Sequence, residues 1–274
     1  MFGQYNLTKL ETDTKVGLLE IVGDTMQSKR IWKSQYSHVS FLEAEKGLGV
    51  VIETLDNEAI PVNKMLASAG YTIDENNEEI KKTKKLVYKA ILQYLDLEGY
   101  PTETNPDYSE INVSDLVLYI LDPIVSYFKR RYPRVGRNIR LRRAKEIISD
   151  GEVSDRSEFV MMDLVSVTER YYVMVIETKK SMVGEAMGRC LLSMKNMRDS
   201  NGAGKVYGFV TTGESWQMLG YDGVSFQVTD KFDATFRSMR SHEEVWMKQY
   251  SVVVNCLEMA LLKGGIVNNA VVIT

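Results

Sequence analysis

Glu177 and Lys179 close an apolar run, Tyr171-Tyr172-Val173-Met174-Val175-Ile176, and stand two residues apart. In an extended chain that spacing sends both side chains to one face. Six apolar residues in succession predict a strand buried on both faces, near the middle of a sheet. A carboxylate and an ammonium at the end of such a strand cost free energy unless something uses them. A divalent cation on Glu177, with a water or a phosphate beside Lys179, would use both. That is the chemistry of phosphodiester hydrolysis. His38 and His242 are the only histidines and lie far apart, so a zinc site, a Ser-His-Asp triad or a histidine-based nuclease is not expected.

The elements that must position this pair can be read around it. Ser114 reads as the N-cap of a helix running from Asp115 to about Tyr132, ended by Pro133 and Gly136. Strands follow at 138–148 and 158–165, then a tight turn at 168–170 and the strand 171–179. A helix over 182–198 carries Val183, Met187, Leu191, Met194 and Met197 on one face, and Gly184 and Gly188 would let it approach the sheet closely. Residues 206–212 form a second apolar strand. It returns after a crossover helix, so it is expected to lie parallel to a neighbour. Asp222-Gly223 marks a hairpin after 215–221, and the remainder reads as helical.

Residues 1–106 read as a separate region of mixed or helical fold, and 107–274 as the main domain. A strand is expected at 49–53 and a helix at 78–97, with Lys81, Lys82, Lys84 and Lys85 on its solvated sides. Two prolines in 99–107 mark a linker. No apolar stretch approaches the length of a membrane span, and the first residues lack the layout of a signal peptide. Cys190 and Cys256 lie in apolar helical patterns and read as buried free thiols of a reducing, intracellular compartment, the nucleus included.

The formal net charge of −3 conceals a basic strip. Lys129 to Lys145 holds nine basic residues and no acid, which leaves −12 on the rest of the chain. Within it, Arg134, Arg137, Arg140, Arg142 and Arg143 are candidates for holding a polyanion backbone, as in nucleic-acid contact. A solvated helix end, or pairing with the protein's own acids, would account for the strip equally well.

The order helix, strand, strand, strand, helix, strand, with Glu-x-Lys closing the third strand, resembles the PD-(D/E)XK (restriction-endonuclease-like) nuclease superfamily. The segments Glu158–Val165, Val175-Ile176-Glu177-Thr178-Lys179-Lys180, Gly184-Glu185-Ala186-Met187 and Val206–Glu214 look like the nuclease-like domains associated with Crinkler-type proteins of fungi and oomycetes. The resemblance covers about residues 110–265. It implies an α/β fold with a restriction-endonuclease-like αβββαβ core, a mixed central sheet, and additional C-terminal strands and helices. It also implies that Glu177 and an acid on the second strand bind Mg²⁺ or Mn²⁺, that Lys179 orients the attacking water, and that the substrate is nucleic acid, DNA before RNA.

The usual Pro-Asp of the second strand is replaced by Ser157-Glu158. If the turn centres near 168–169, Glu177 faces a position between 159 and 161. A partner at 161 brings Asp163 to Glu177's face, about 7 Å along the strand, and a partner at 160 brings Glu158 there instead. Both stay open, with Asp163 preferred because a mid-strand Asp between Met162 and Leu164 is costlier to leave unexplained. Asp115 could add an acid from the first helix, or be an ordinary first-turn acid. Glu146 could face the site. Glu185 and Arg189 fit an ion pair, and Trp216 and Tyr221 fit core or base stacking. Two rival readings remain: a catalytically inactive nucleic-acid- or protein-binding module on the same fold, and a homo-oligomeric structural protein.

Overall fold

The computed structural model describes residues 40–101, 107–132, 137–143, 158–165, 170–180 and 183–266, which fall in one compact unit, Ser40–Thr274. Its centre is the apolar run of the sequence. Strand β3 (Arg170–Thr178) is buried from Val173 to Thr178 and lies inside a mixed sheet. The sheet order is β1 (Ile139–Arg143), β2 (Glu158–Leu164), β3, β4 (Val206–Thr211), β5 (Ser215–Tyr221) and β6 (Phe226–Val228), with β7 (Phe232–Asp233) also pairing β5. Only the β3–β4 pair is parallel among these; the others are antiparallel. The two parallel strands are joined across helix α6 (Val183–Asn201), as the crossover reading expected. The fold is therefore mixed α/β.

Period-2 alternation sorts the strand residues onto two helical layers. Val160, Met162, Val175 and Val210 pack with Met187 and Leu191 of α6. Phe159, Met161, Met174 and Ile176 point the other way, into a core shared with α5 (Glu110–Arg131) and α7 (Val252–Lys263). Each such side chain, fully buried, is worth about 1.5–3 kcal/mol. Cys190 and Cys256 are both buried.

Ahead of α5 come α1 (Phe41–Leu48), α2 (Ile52–Asn57), α3 (Val62–Ser68) and α4 (Glu78–Glu98). Asn77 caps α4 by accepting from the Glu79 and Ile80 amides. Met65, Ile80, Val87 and Ile91 of these helices belong to the same core as Leu116, Ile120 and Leu257. Residues 40–101 thus pack into one core with the later elements, whereas the sequence led us to expect a boundary near 106. The strand expected at 49–53 is not formed: Gly49, at φ +70°, ends α1, and Ile52 begins α2 with its side chain buried against the α6 layer. Gly184 and Gly188 of α6 face α1 rather than the sheet; a Cβ on Gly188 would stand 3.2 Å from that of Ala44.

The helix start expected at Ser114 also moves. Helix α5 begins at Glu110 behind Ser109, whose amide donates to Asn112 Oδ1, and runs through Pro123 for 22 residues. It is long and apolar enough by those measures to cross a membrane, yet half of its most apolar window is buried inside the fold, and packing against α4 and α7 accounts for its composition.

Candidate active site

Strands β2 and β3 form a hairpin whose register decides which acids can meet. Glu158 is the Cα partner of Glu177, Val160 of Val175 and Met161 of Met174. The register then slips: Met162 pairs with Tyr172, so Val173 has no partner across the pair. Cross-strand partners share a face, so Glu158 and Glu177 occupy the α6 face at one end of the hairpin. Glu177 is only 6% exposed. On its other side its partner is Val210 of β4. Neither register weighed from the sequence is the observed one, because Leu164 pairs with Arg170 and β3 carries an extra residue further on.

Lys179 follows directly. Its amide donates to Thr211 O at 3.0 Å, extending the parallel ladder one residue past the strand. Its ammonium donates to Glu110 Oε1 at 2.8 Å, with the two side chains 16% and 33% exposed. One helical turn on, Ser114 Oγ lies 3.1 Å from Thr178 Oγ1 and also donates to Glu110 O. Glu110 and Ser114 are four apart and therefore on one face of α5, and that face caps the end of β3. Glu110 is the residue that reading the sequence missed. Its signal was Ser109 with Asn112, an N-terminal capping pair that places Glu110 in the first turn and Asp115 five residues further along.

Asp163 is a correction. It lies on β2 opposite Ile139 and Tyr171, on the face away from Glu177, and five residues from Glu158. At ~3.3 Å per residue that is about 16 Å, beyond any shared metal. Its Oδ2 accepts from Arg137 Nε at 2.9 Å and its Oδ1 from the Asn138 amide at 2.8 Å. Arg137 is a correction as well. Its side chain is 6% exposed, and Nη1 and Nη2 donate to the carbonyls of Leu261 and Gly264 at 2.6 and 2.5 Å. It fastens the end of α7 to the sheet and is not available to a polyanion.

Arg140 and Arg142 lie on the edge strand β1, both exposed, opposite Met162 and Val160 and hence on the same sheet face as Glu177. Arg134, the Arg143 side chain, the Glu158 side chain and Glu146 lie outside the described residues. Glu185 and Arg189 form the expected ion pair at 3.2 Å. Trp216 is fully buried and donates to Gly213 O at 3.1 Å, and Tyr221 stacks on Phe226 at 4.1 Å, so both are core residues.

Among the described residues no three His, Cys, Asp or Glu side chains converge. A cage supplied wholly by protein, as Ca²⁺ or Zn²⁺ prefers, is not indicated there. Mg²⁺ is commonly held by one or two carboxylates, its remaining positions going to water and substrate phosphate. A buried Glu177 with Glu158 in register fits that requirement, and Mn²⁺ accepts the same oxygen donors. Comparison with protein-family models, curated proteins and solved structures finds no match to this chain.

Proposed function

We propose that the protein is a metal-dependent nuclease, hydrolysing phosphodiester bonds of nucleic acid, DNA in preference to RNA, on a restriction-endonuclease-like core. The observation that carries this reading is the register of Glu158 with Glu177 at the strand end from which Lys179 emerges. The succession α5, β1, β2, β3, α6, β4, with β3 and β4 parallel, supports the same core.

In this reading Glu177 and Glu158 hold Mg²⁺ or Mn²⁺. Such an ion, when bound, would supply acidity for activating a water and would offset charge growing on the phosphate. Lys179 holds the attacking water by hydrogen bonding, and Glu110 keeps its ammonium in place. Arg140 and Arg142 contact backbone phosphates, which gives affinity with little sequence selectivity.

A binding module without turnover is the second reading. It is favoured by Lys179 already standing in an ion pair with Glu110. The two part in one assay, cleavage of single- and double-stranded DNA and RNA in Mg²⁺, Mn²⁺ or EDTA, with Lys179→Ala purified alongside. We expect metal-dependent cutting that falls at least about 10³-fold in the variant, a loss of roughly 4 kcal/mol of transition-state stabilisation. Equal activity of the two proteins, or none in either, would remove the nuclease reading.

A further inference from the structure

Far from Glu177, at the other end of α5, a carboxylate is buried without a cation. Glu258 of α7 is 2% exposed, and no basic side chain among the described residues forms an ion pair with it. Its partners are neutral: Tyr71 donates to Oε2 at 2.5 Å and Tyr132 to Oε1 at 3.1 Å. Burial and the charge of Glu258 together hold the Tyr71 hydroxyl far above its usual pKa. Two further polar atoms of this cluster lack a well-formed hydrogen bond. Asn255 stands three residues before Glu258 and is 1% exposed; its Nδ2 donates to the Tyr71 hydroxyl at 3.2 Å, while its Oδ1 is buried and unmet. The Tyr127 hydroxyl is likewise buried without a well-formed hydrogen bond, its ring edge-on to Tyr132 at 6.4 Å and its hydroxyl near enough to that of Tyr132 for each to shift the other's pKa. Burial first, and then the field of Glu258, push its pKa up.

We propose that this cluster binds one monovalent cation of the potassium or ammonium class, with Glu258, Asn255 Oδ1 and the Tyr127 hydroxyl as ligands. A buried charge outside any ion pair costs several kcal/mol, and a buried acceptor without a donor costs ~1–3 kcal/mol more. A water would satisfy the orphan atoms but leave the charge. One cation answers both. A single carboxylate among neutral oxygens suits one positive charge rather than two. Burial lowers the pKa of Lys84 on α4, against the opposing fields first of Glu75 and then of Glu258. Tyr71, Tyr132 and Lys84 are each only partly buried, which leaves an approach from solvent. The site joins the loop after α3 to α4, α5 and α7, so the ion would stabilise the packing of the early helices on the last one. At ~1.5 Å per residue along α5 it is about 30 Å from Glu110, and it stands or falls independently of the nuclease reading.

The test is thermal unfolding at constant ionic strength in potassium, ammonium, sodium and choline chloride. Potassium or ammonium is expected to raise Tm over choline by roughly 3–6 °C once the ion exceeds its Kd about tenfold. The increment should vanish in Glu258→Gln and shrink in Tyr127→Phe. If Glu258→Gln does not fold, Tyr127→Phe decides alone: an orphan hydroxyl with no ion to hold would leave the increment unchanged, which overturns the site. Equal Tm in all four salts overturns it too, and assigns the unmet atoms to water.

Discussion

The two ends of the β2–β3 hairpin each carry an acid and a base, and they are built to opposite specifications. At the end near Arg170, Asp163 receives two hydrogen bonds, and Arg137 divides its donors between that carboxylate and the carbonyls that finish α7. Both side chains are about nine-tenths buried. At the end near Thr178, Lys179 gives one of its three donors to a partly exposed Glu110. Glu177 there is the Cα partner of Glu158 across the strand pair. A saturated, buried pair is costly to break; in the proposed reading, two acids in register would hold a cation. The same amino-acid types thus stand in two settings: a buried acid-base pair at one end, and at the other a partly exposed ion pair beside two acids in register.

Arg137→Ala should break that contrast most visibly. It takes one donor from buried Asp163 and the Arg137 donors from three backbone carbonyls near α7. Removing one side of a buried pair costs ~3–5 kcal/mol, which for a domain of this size is a fall in Tm of roughly 6–20 °C. Thermal melting checks it. A variant that melts within a degree or two of the parent would mean that the Asp163 end is no more structural than the Glu177 end.

Glu110→Gln should do the reverse. The pair with Lys179 is partly exposed, so its loss is expected to change stability by less than about 1 kcal/mol. If Lys179 positions a water, however, freeing its ammonium from Glu110 should lower kcat about tenfold while leaving KM in place, since substrate affinity comes from elsewhere. Unchanged kcat together with unchanged Tm would show that the contact matters to neither end. A large loss of Tm would move Glu110 to the structural class.

Which end was which could be read only in part from the sequence. The apolar run 171–176 sufficed for a buried strand, and Val183, Met187, Leu191 and Met194 sufficed for a helix lying on one face of it. The facing of Asp163 was out of reach, because it depends on Val173 standing out of register. Gly264 and Gly265 pack against the carbonyls of Val173 and Tyr172, where any Cβ would overlap, and those glycines lie some ninety residues away in sequence. Contacts that remote leave no local pattern. Glu110 escaped for a different reason: Ser114-Asp115 and Ser109-Glu110 are both acceptable helix starts, and only the packing of Ser114 on Thr178 decides between them. The strand expected at 49–53 failed on the same ground, since Gly49 serves a helix end as readily as a turn between strands.

The smallest expected effect concerns the edge strand and would sharpen the contrast rather than break it. Arg140 and Arg142 share the sheet face of Glu177, whereas Arg137, three residues earlier, belongs to the clamp. A basic edge strand has a structural use of its own, since charge on an open edge discourages pairing with other chains. The two uses differ in their salt dependence. If both arginines contact phosphates, Arg140→Ala with Arg142→Ala should lower the slope of log K against log salt by about 1.8, at ~0.9 per contact for duplex DNA. Cleavage at saturating substrate and Tm should hardly move, because exposed charges contribute little to either. An unchanged slope with new self-association would return the strip to edge protection, and the chemistry at this end of the hairpin would then rest on Glu158, Glu177, Lys179 and Glu110 alone.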